Sequence, residues 1–238
     1  MNTAFFVSPY SEAGIVENMA YDAVLLHDYP RPINARIRCY GWTEHGATFG
    51  YSQRWGDVRQ LTSLEGGPLV RRLTGGGVVP HGEDFTYALV LPPAHPFYRE
   101  KAVDLYRLIH DAVATCLHAF GQPAELEPCP CDFGQKRERL GLAGACFVRA
   151  EPYDVVEPKS RRKLAGAAMK RDRDGLLVQG SLELPDGVAL SLFERSLIEL
   201  IAARLDLPFP KPTPGQVDAA ALQRWTAHFA DAAWNQRR

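Results

Sequence analysis

Three short stretches carry side chains that could do chemistry. In Arg71-Arg72-Leu73-Thr74-Gly75-Gly76-Gly77-Val78-Val79-Pro80-His81-Gly82, two arginines lead into three consecutive glycines and a histidine follows. An ordinary hairpin needs one or two glycines, for positions with positive φ. Three in a row open room for a close backbone approach and expose N–H groups. The flanking cations suit an acidic or phosphate-bearing ligand, and a plain glycine-rich turn is the bland alternative. In Gly144-Ala145-Cys146-Phe147-Val148-Arg149, a thiol stands at a strand start after a small-residue turn. A lone cysteine is most simply a buried apolar side chain. Here the small neighbours leave access, and the cations of the next hairpin would favour thiolate over thiol. In Lys163-Leu164-Ala165-Gly166-Ala167-Ala168, a lysine opens a strand with little side chain to pack. Such a strand faces a ligand or another backbone, so its lysine can reach a ligand carbonyl or carboxyl group. The preceding Lys159, Arg161 and Arg162 are read as a solvated hairpin tip.

Other constellations carry less. Cys129-Pro130-Cys131 has no second cysteine pair or nearby histidine, so a loop pair of thiols is expected and no metal site. His27, His45, His95, His110, His118 and His228 are read as surface or packing residues, which leaves His81 as the histidine in a candidate site.

The elements that must position these groups follow from periodicity. Residues 14–27 have apolar positions at spacings of three and four and predict a helix, as do residues 100–120, with Leu105, Leu108, Ile109, Ala112, Val113, Cys116, Leu117 and Phe120 on one face. Strands are predicted at Ala35 to Trp42, Ala47 to Tyr51, Pro68 to Thr74, Phe85 to Leu91, Ala145 to Arg149, Tyr153 to Glu157, Lys163 to Ala168 and Leu176 to Leu184. Leu192 to Leu205 and 217–234 read as helices, and the four prolines between Pro208 and Pro214 as a linker. This order implies an α/β fold of the α+β type, with mixed β-sheets flanked by helices. The triple glycine then lies between two strands. That counts against a phosphate-binding loop or a dinucleotide fingerprint, each of which opens a helix.

Bulk properties narrow the classes. The chain has 238 residues, 46% of them hydrophobic and 23% charged, enough for a proper core. A net charge of −1 gives no global attraction to nucleic acid or to an anionic membrane. The N-terminus lacks the pattern of a signal peptide, and no apolar run approaches the roughly 20 residues of a membrane span. Five cysteines without a secretory signal suggest reduced thiols and a cytoplasmic setting.

Four blocks, in order, resemble the lipoate-protein ligase and octanoyltransferase superfamily, whose fold is shared with the biotin-protein ligase catalytic domain. They are Asn18-Met19-Ala20-Tyr21-Asp22; Tyr40-Gly41-Trp42 with Thr48-Phe49-Gly50-Tyr51-Ser52-Gln53; the Arg71 to His81 segment; and Lys163 to Ala168 with Gly180-Ser181-Leu182. The resemblance implies a catalytic domain over 1–207, with 208–238 as a Pro-rich linker and C-terminal helix packed on it. It implies an acyl site lined by Arg72, Thr74, Gly75, Gly76, Gly77, His81, Gly166, Ala168 and Gly180. Cys146-Phe147 followed by Tyr153-Asp154 resembles the block of the cysteine-dependent transferases, in which Cys146 would carry the acyl group and Lys163 would assist. The implied donor is acyl carrier protein and the implied acceptor a lipoyl-domain protein, such as a glycine cleavage H-like protein, with no cofactor. ATP and Mg would enter only in an ATP-dependent lipoate ligase, and a catalytically silent acyl-binding paralogue is a further alternative. The chain departs from the family pattern at Met169, where Gln is usual, and at Gln179, where His is usual; both departures are expected beside the acyl pocket.

Overall fold

The computed structural model describes residues 4–61, 67–129, 150–213 and 217–237. Its elements run β1 (Phe5–Val7), β2 (Ser11–Ala13), α1 (Ile15–His27), β3 (Ala35–Trp42), β4 (Gly46–Phe49), α2 (Trp55–Leu61), β5 (Leu69–Arg71), β6 (Val79–His81) and β7 (Phe85–Leu91). There follow α3 (Ala102–Ala119), β8 (Glu125–Leu126), β9 (Val155–Val156), β10 (Lys163–Asp172), β11 (Gly175–Leu182), α4 (Leu190–Arg204), β12 (Pro210–Pro212), α5 (Ala219–Ala230) and α6 (Ala232–Asn235). Among the described residues, nine strands form one mixed sheet in the order β12-β1-β3-β7-β11-β10-β9-β8, with β2 pairing on β3. Pairing is parallel among β12, β1, β3 and β2, and antiparallel from β3 through to β8. A small second sheet, β5-β4-β6, carries the start and end of the glycine loop.

Side-chain alternation explains the layers. Ile37 and Cys39 of β3, with Tyr87, Leu89 and Leu91 of β7, point to a core shared with α3 and α4. The intervening Tyr40, Trp42, Ala88 and Val90 point to the opposite core, under α1 and Phe229 of α5. Both sheet faces are therefore covered, and β3 and β7 are buried along their whole length. The apolar stripe predicted for α3 faces the sheet, with Leu105, Ile109, Ala112, Val113, Cys116 and Leu117 buried. The predicted α/β architecture with mixed sheets between helices is thus the observed one.

Differences fall where periodicity has too few residues to speak. Strands β1, β2 and β6 are three residues each, and none was anticipated; nor was α2. The segment read as a linker holds β12, which pairs parallel with β1 at the end of the large sheet. Proline is tolerated there because an edge strand can do without one row of N–H donors. The single helix expected over 217–234 is two, broken at Asp231, whose carboxylate accepts from Ala233 N and starts α6. Cys39 and Cys116 are buried free thiols, but Cys129 is disulfide-bonded, contrary to the expectation of reduced thiols throughout.

The two arginines before the glycines have separate tasks. Arg71 is fully buried, and its guanidinium is met by main-chain carbonyls. It donates to the carbonyls of Tyr51 (2.7 Å), Gln53 (2.7 Å), Trp234 (3.2 Å), Asn235 (2.9 Å) and Arg237 (2.7 Å). Its backbone N–H donates to Asn235 Oδ1, and Trp234 Nε1 donates back to its carbonyl, both at 2.7 Å. The C-terminal turn is thereby locked onto β5, immediately before the glycine loop. Arg71→Met keeps the volume but removes the donors, leaving buried carbonyls unmet. It is expected to destabilise the fold by about 3 kcal/mol. Urea unfolding followed by tryptophan fluorescence checks this, and a loss below about 0.5 kcal/mol would show the clamp to be dispensable.

Candidate functional site

A cavity of about 60 Å³ lies where the two sheets meet. Its walls come from α1 (Met19), β3 (Tyr40), β4 (Thr48), the glycine loop (Arg72, Gly76), β6 (Val79, His81), β7 (Thr86), β10 (Lys163, Gly166, Ala167, Ala168) and β11 (Gln179, Gly180, Ser181). Glycines shape it by what they leave out. Gly76 takes a φ of 89°, in the region that side chains disfavour. A Cβ on Gly50 would stand 2.0 Å from the Gly76 carbonyl oxygen, so the loop rests backbone against backbone. A Cβ on Gly180 would overlap the Tyr87 ring at 2.2 Å, and one on Gly166 would stand 2.6 Å from both Cε and Nζ of Lys163.

Polar side chains behind the walls form two connected sets. In the first, buried Asp22 accepts from Arg38 (3.0 Å), Tyr40 Oη (2.8 Å) and Gln179 Nε2 (2.6 Å). Gln179 Oε1 accepts from Thr74 Oγ1 at 2.7 Å, tying the glycine loop through β11 to α1. Burial raises the Asp22 pKa, against the opposing pull of Arg38 and its hydrogen bonds. In the second, Arg72 donates to Thr74 Oγ1 (3.1 Å), Thr48 Oγ1 (3.3 Å) and the Gly75 carbonyl. Thr48 Oγ1 is 2.9 Å from His81 Nε2, and His81 Nδ1 is 2.9 Å from Asp84 Oδ2. Ser181 (2.6 Å) and Thr86 (3.0 Å) also donate to Asp84. Burial lowers the His81 pKa. Burial would raise that of Asp84, but hydrogen bonds from His81, Ser181 and the Gly82 N–H outweigh it and lower it. A neutral imidazole with its proton on Nδ1, donating to an ionised Asp84, satisfies both. The Trp42 ring stacks on His81 at 3.9 Å and holds its plane.

Lys163 has a third setting. Its Nζ is 2.7 Å from Asp154 Oδ2, with Lys163 7% exposed and Asp154 0%. Tyr106 of α3 donates to the other Asp154 oxygen, and its own oxygen accepts from Ala167 N at 3.2 Å. One turn along α3, His110 Nδ1 is 2.6 Å from the Tyr153 carbonyl. Burial above all, with the Lys163 charge, pushes the His110 pKa down to about 4, against Asp154 and the Tyr153 carbonyl.

Of the expected site residues, Arg72, Gly76, His81, Lys163, Gly166, Ala168 and Gly180 line the cavity. Thr74, Gly75 and Gly77 are not among its lining residues; Thr74 and Gly75 contact Arg72 from behind the wall. Cys146 lies outside the described residues. Of the two departures from the family pattern, Gln179 lines the cavity, whereas Met169 packs against the core under α3 and α4. The hairpin cations Arg161 and Arg162 pair with Glu125, Glu127 and Glu183. The sequence motifs do not point to Asp84, three positions after His81, nor to Tyr106 and His110, which hold Asp154 in place. Asp84 had a local signal in its spacing; Tyr106 and His110 stand in a helix far from the motifs they serve.

The His110 shift has a stability consequence. The folded-state pKa lies below the unfolded value of about 6.5, so the unfolded chain gains this proton first as pH falls. The stability it confers is full above about pH 6.5 and is lost down to about pH 4, a loss of about 3 kcal/mol. His110→Phe is expected to flatten the stability–pH curve over that interval by this amount. Denaturant melts of both proteins across the interval, showing parallel curves, would refute it.

The lipoyl protein ligase A/B catalytic domain family matches residues 15–199. The octanoyltransferase LipM of an Exiguobacterium species is 30% identical over 171 residues, covering 71% of this chain and 61% of that protein. LipM of Geobacillus kaustophilus is 29% identical over 199 residues, covering 82% of this chain and 70% of that protein. The chain thus spans 61% of the length of the Exiguobacterium relative. Among solved structures, a bipartite lipoate protein ligase from Thermoplasma acidophilum superposes with a TM-score of 0.72 at 17% identity, covering 99% of this chain and 97% of that one. A lipoate-protein ligase A bound with ATP gives 0.72 at 16% identity, with 99% of each chain covered. These two show the same fold. The family match contains every residue that lines the cavity, from Met19 to Ser181. The chain belongs to the lipoyl protein ligase A/B catalytic domain family.

Proposed function

We propose that this chain transfers an octanoyl or lipoyl group from acyl carrier protein, through a thioester on Cys146, to a lysine of a lipoyl-domain protein in the cytoplasm. The observation that carries this reading is a lysine buried at the wall of a small-residue cavity, in a chain whose relatives include octanoyltransferases. The Cys146 thiolate attacks the carbonyl carbon of the carrier thioester. The new C–S bond forms as the bond to the carrier sulfur breaks, and the carrier leaves as a thiol after taking a proton. The ε-amine of the acceptor lysine then attacks the acyl-cysteine, forming an amide and releasing the Cys146 thiol. Splitting the transfer gives two easier steps, and the thioester supplies the activation, so no ATP is consumed. Lys163 stabilises the developing oxyanion and favours the thiolate. The glycine loop and β10 hold the chain, and a glycine cleavage H-like protein fits the acceptor role.

Intact-mass analysis after incubation with octanoyl carrier protein tests this. One octanoyl group is expected on the wild type and none on Cys146→Ala. An adduct that survives the substitution, or none on the wild type with strict ATP dependence on free lipoate, would reassign the chain to another mechanism or to the ligases. Lys163 also has a structural correlate. A methyl group on Gly166 must push the flexible lysine tip aside, because backbone is not in the way. Gly166→Ala is therefore expected to fold with stability within about 1 kcal/mol of wild type, yet to lose about 10²-fold in the acyl-transfer rate. Thermal melts and single-turnover rates on the same preparations check both halves.

A further inference from the structure

Lys163 does not hold its own place. It is a flexible side chain, buried at the cavity wall. Asp154 meets it at 2.7 Å, yet Asp154 belongs to neither β9 nor β10 and is delivered by an unusual turn. The residue before it, Tyr153, has a φ of 67° although it carries a large side chain, a conformation that costs on the order of 1–2 kcal/mol. Such a backbone persists when its surroundings over-determine it. The Tyr153 N–H donates to the Glu127 carbonyl at 2.8 Å, and its own carbonyl is 2.6 Å from His110 Nδ1. Asp154 is held in turn by the Tyr106 hydroxyl and by the Glu151 N–H at 2.7 Å. Tyr106 and His110 are four residues apart and so share one face of α3.

We infer that Asp154, delivered by the left-handed turn at Tyr153 and locked by Tyr106 and His110, is a positioning residue that holds the Lys163 amine in place for acyl transfer. The kinetic part rests on the transfer reading above; the placement of the lysine does not. Helix α3 thereby contributes to the reaction without lining the cavity. Tyr106 also reads the cavity wall, because the amide that donates to it belongs to Ala167, a lining residue.

Asp154→Asn keeps shape and removes the charge. In octanoyl transfer, kcat is expected to fall about 10²-fold with KM for the acyl carrier unchanged; Asp154→Glu restores part of it, and Tyr106→Phe shows a smaller fall. Independently of turnover, cyanate carbamoylation read by peptide mass spectrometry compares Lys163 with exposed Lys159. Without the carboxylate that meets it at 2.7 Å, the Lys163 amine is no longer tied down, so its labelling relative to Lys159 should rise about 10-fold. Wild-type labelling and wild-type kcat in a folded Asp154→Asn protein would overturn the proposal. If that variant does not fold, Tyr106→Phe decides: unchanged labelling and kcat overturn it, raised labelling supports it. If the wild type transfers no acyl group at all, the function reading fails and the labelling result alone decides the lysine's placement.

Discussion

Buried positive charge is the constraint around which this structure is arranged. Arg36, Arg38, Arg71, Arg72 and Lys163 are all buried. An arginine cannot escape the cost of desolvation by losing its proton, so each must be met by acceptors in good geometry. Arg36 does this by donating to the carbonyls of Leu25 and Leu26, closing the last turn of α1, and to those of Pro32 and Asn34 in the loop that follows. Arg38 meets Asp22 and Asn18 on the same helix. Arg71 gathers the carbonyls of the C-terminal turn. The positions of α1, α6 and the glycine loop follow from where these guanidinium groups find oxygen.

The cavity inherits its shape from that arrangement. Its floor and roof are strands of different sheets, and they are joined by side-chain hydrogen bonds rather than by a ladder. Gln179 connects Thr74 to Asp22, and Thr48 connects Arg72 to His81. A partly satisfied network of this kind would be costly in a low-dielectric interior, so its members move together or not at all. Gln179 can hold this bridging place because an amide can both donate to Asp22 and accept from Thr74. Met169 falls on the outer core, where a flexible thioether packs outside the cavity lining.

Much of the fold was legible from residue order. Long segments such as β3, β7 and α3 announce themselves, since seven or more consecutive residues carry one pattern. Three-residue strands repeat nothing, so β1, β2 and β6 were invisible. The proline run looked like a linker because proline suits linkers; only pairing with β1 shows that it is an edge. In the candidate site, glycine and lysine were readable because their demands are local: backbone room, and a strand with nothing to pack.

Sequence by itself determined the family, the motif carriers and the sheet-and-helix grammar, because these depend on neighbours within a few positions. It could not distinguish Arg71 from Arg72, adjacent residues of one type. Tertiary structure sends the first, the last residue of β5, to the C-terminal turn and the second, just past the strand, to the cavity wall, since successive side chains of an extended segment point to opposite faces. Nor could it join Tyr106, His110, Asp154 and Lys163, because a hydrogen bond depends on ångströms in space and not on distance along the chain.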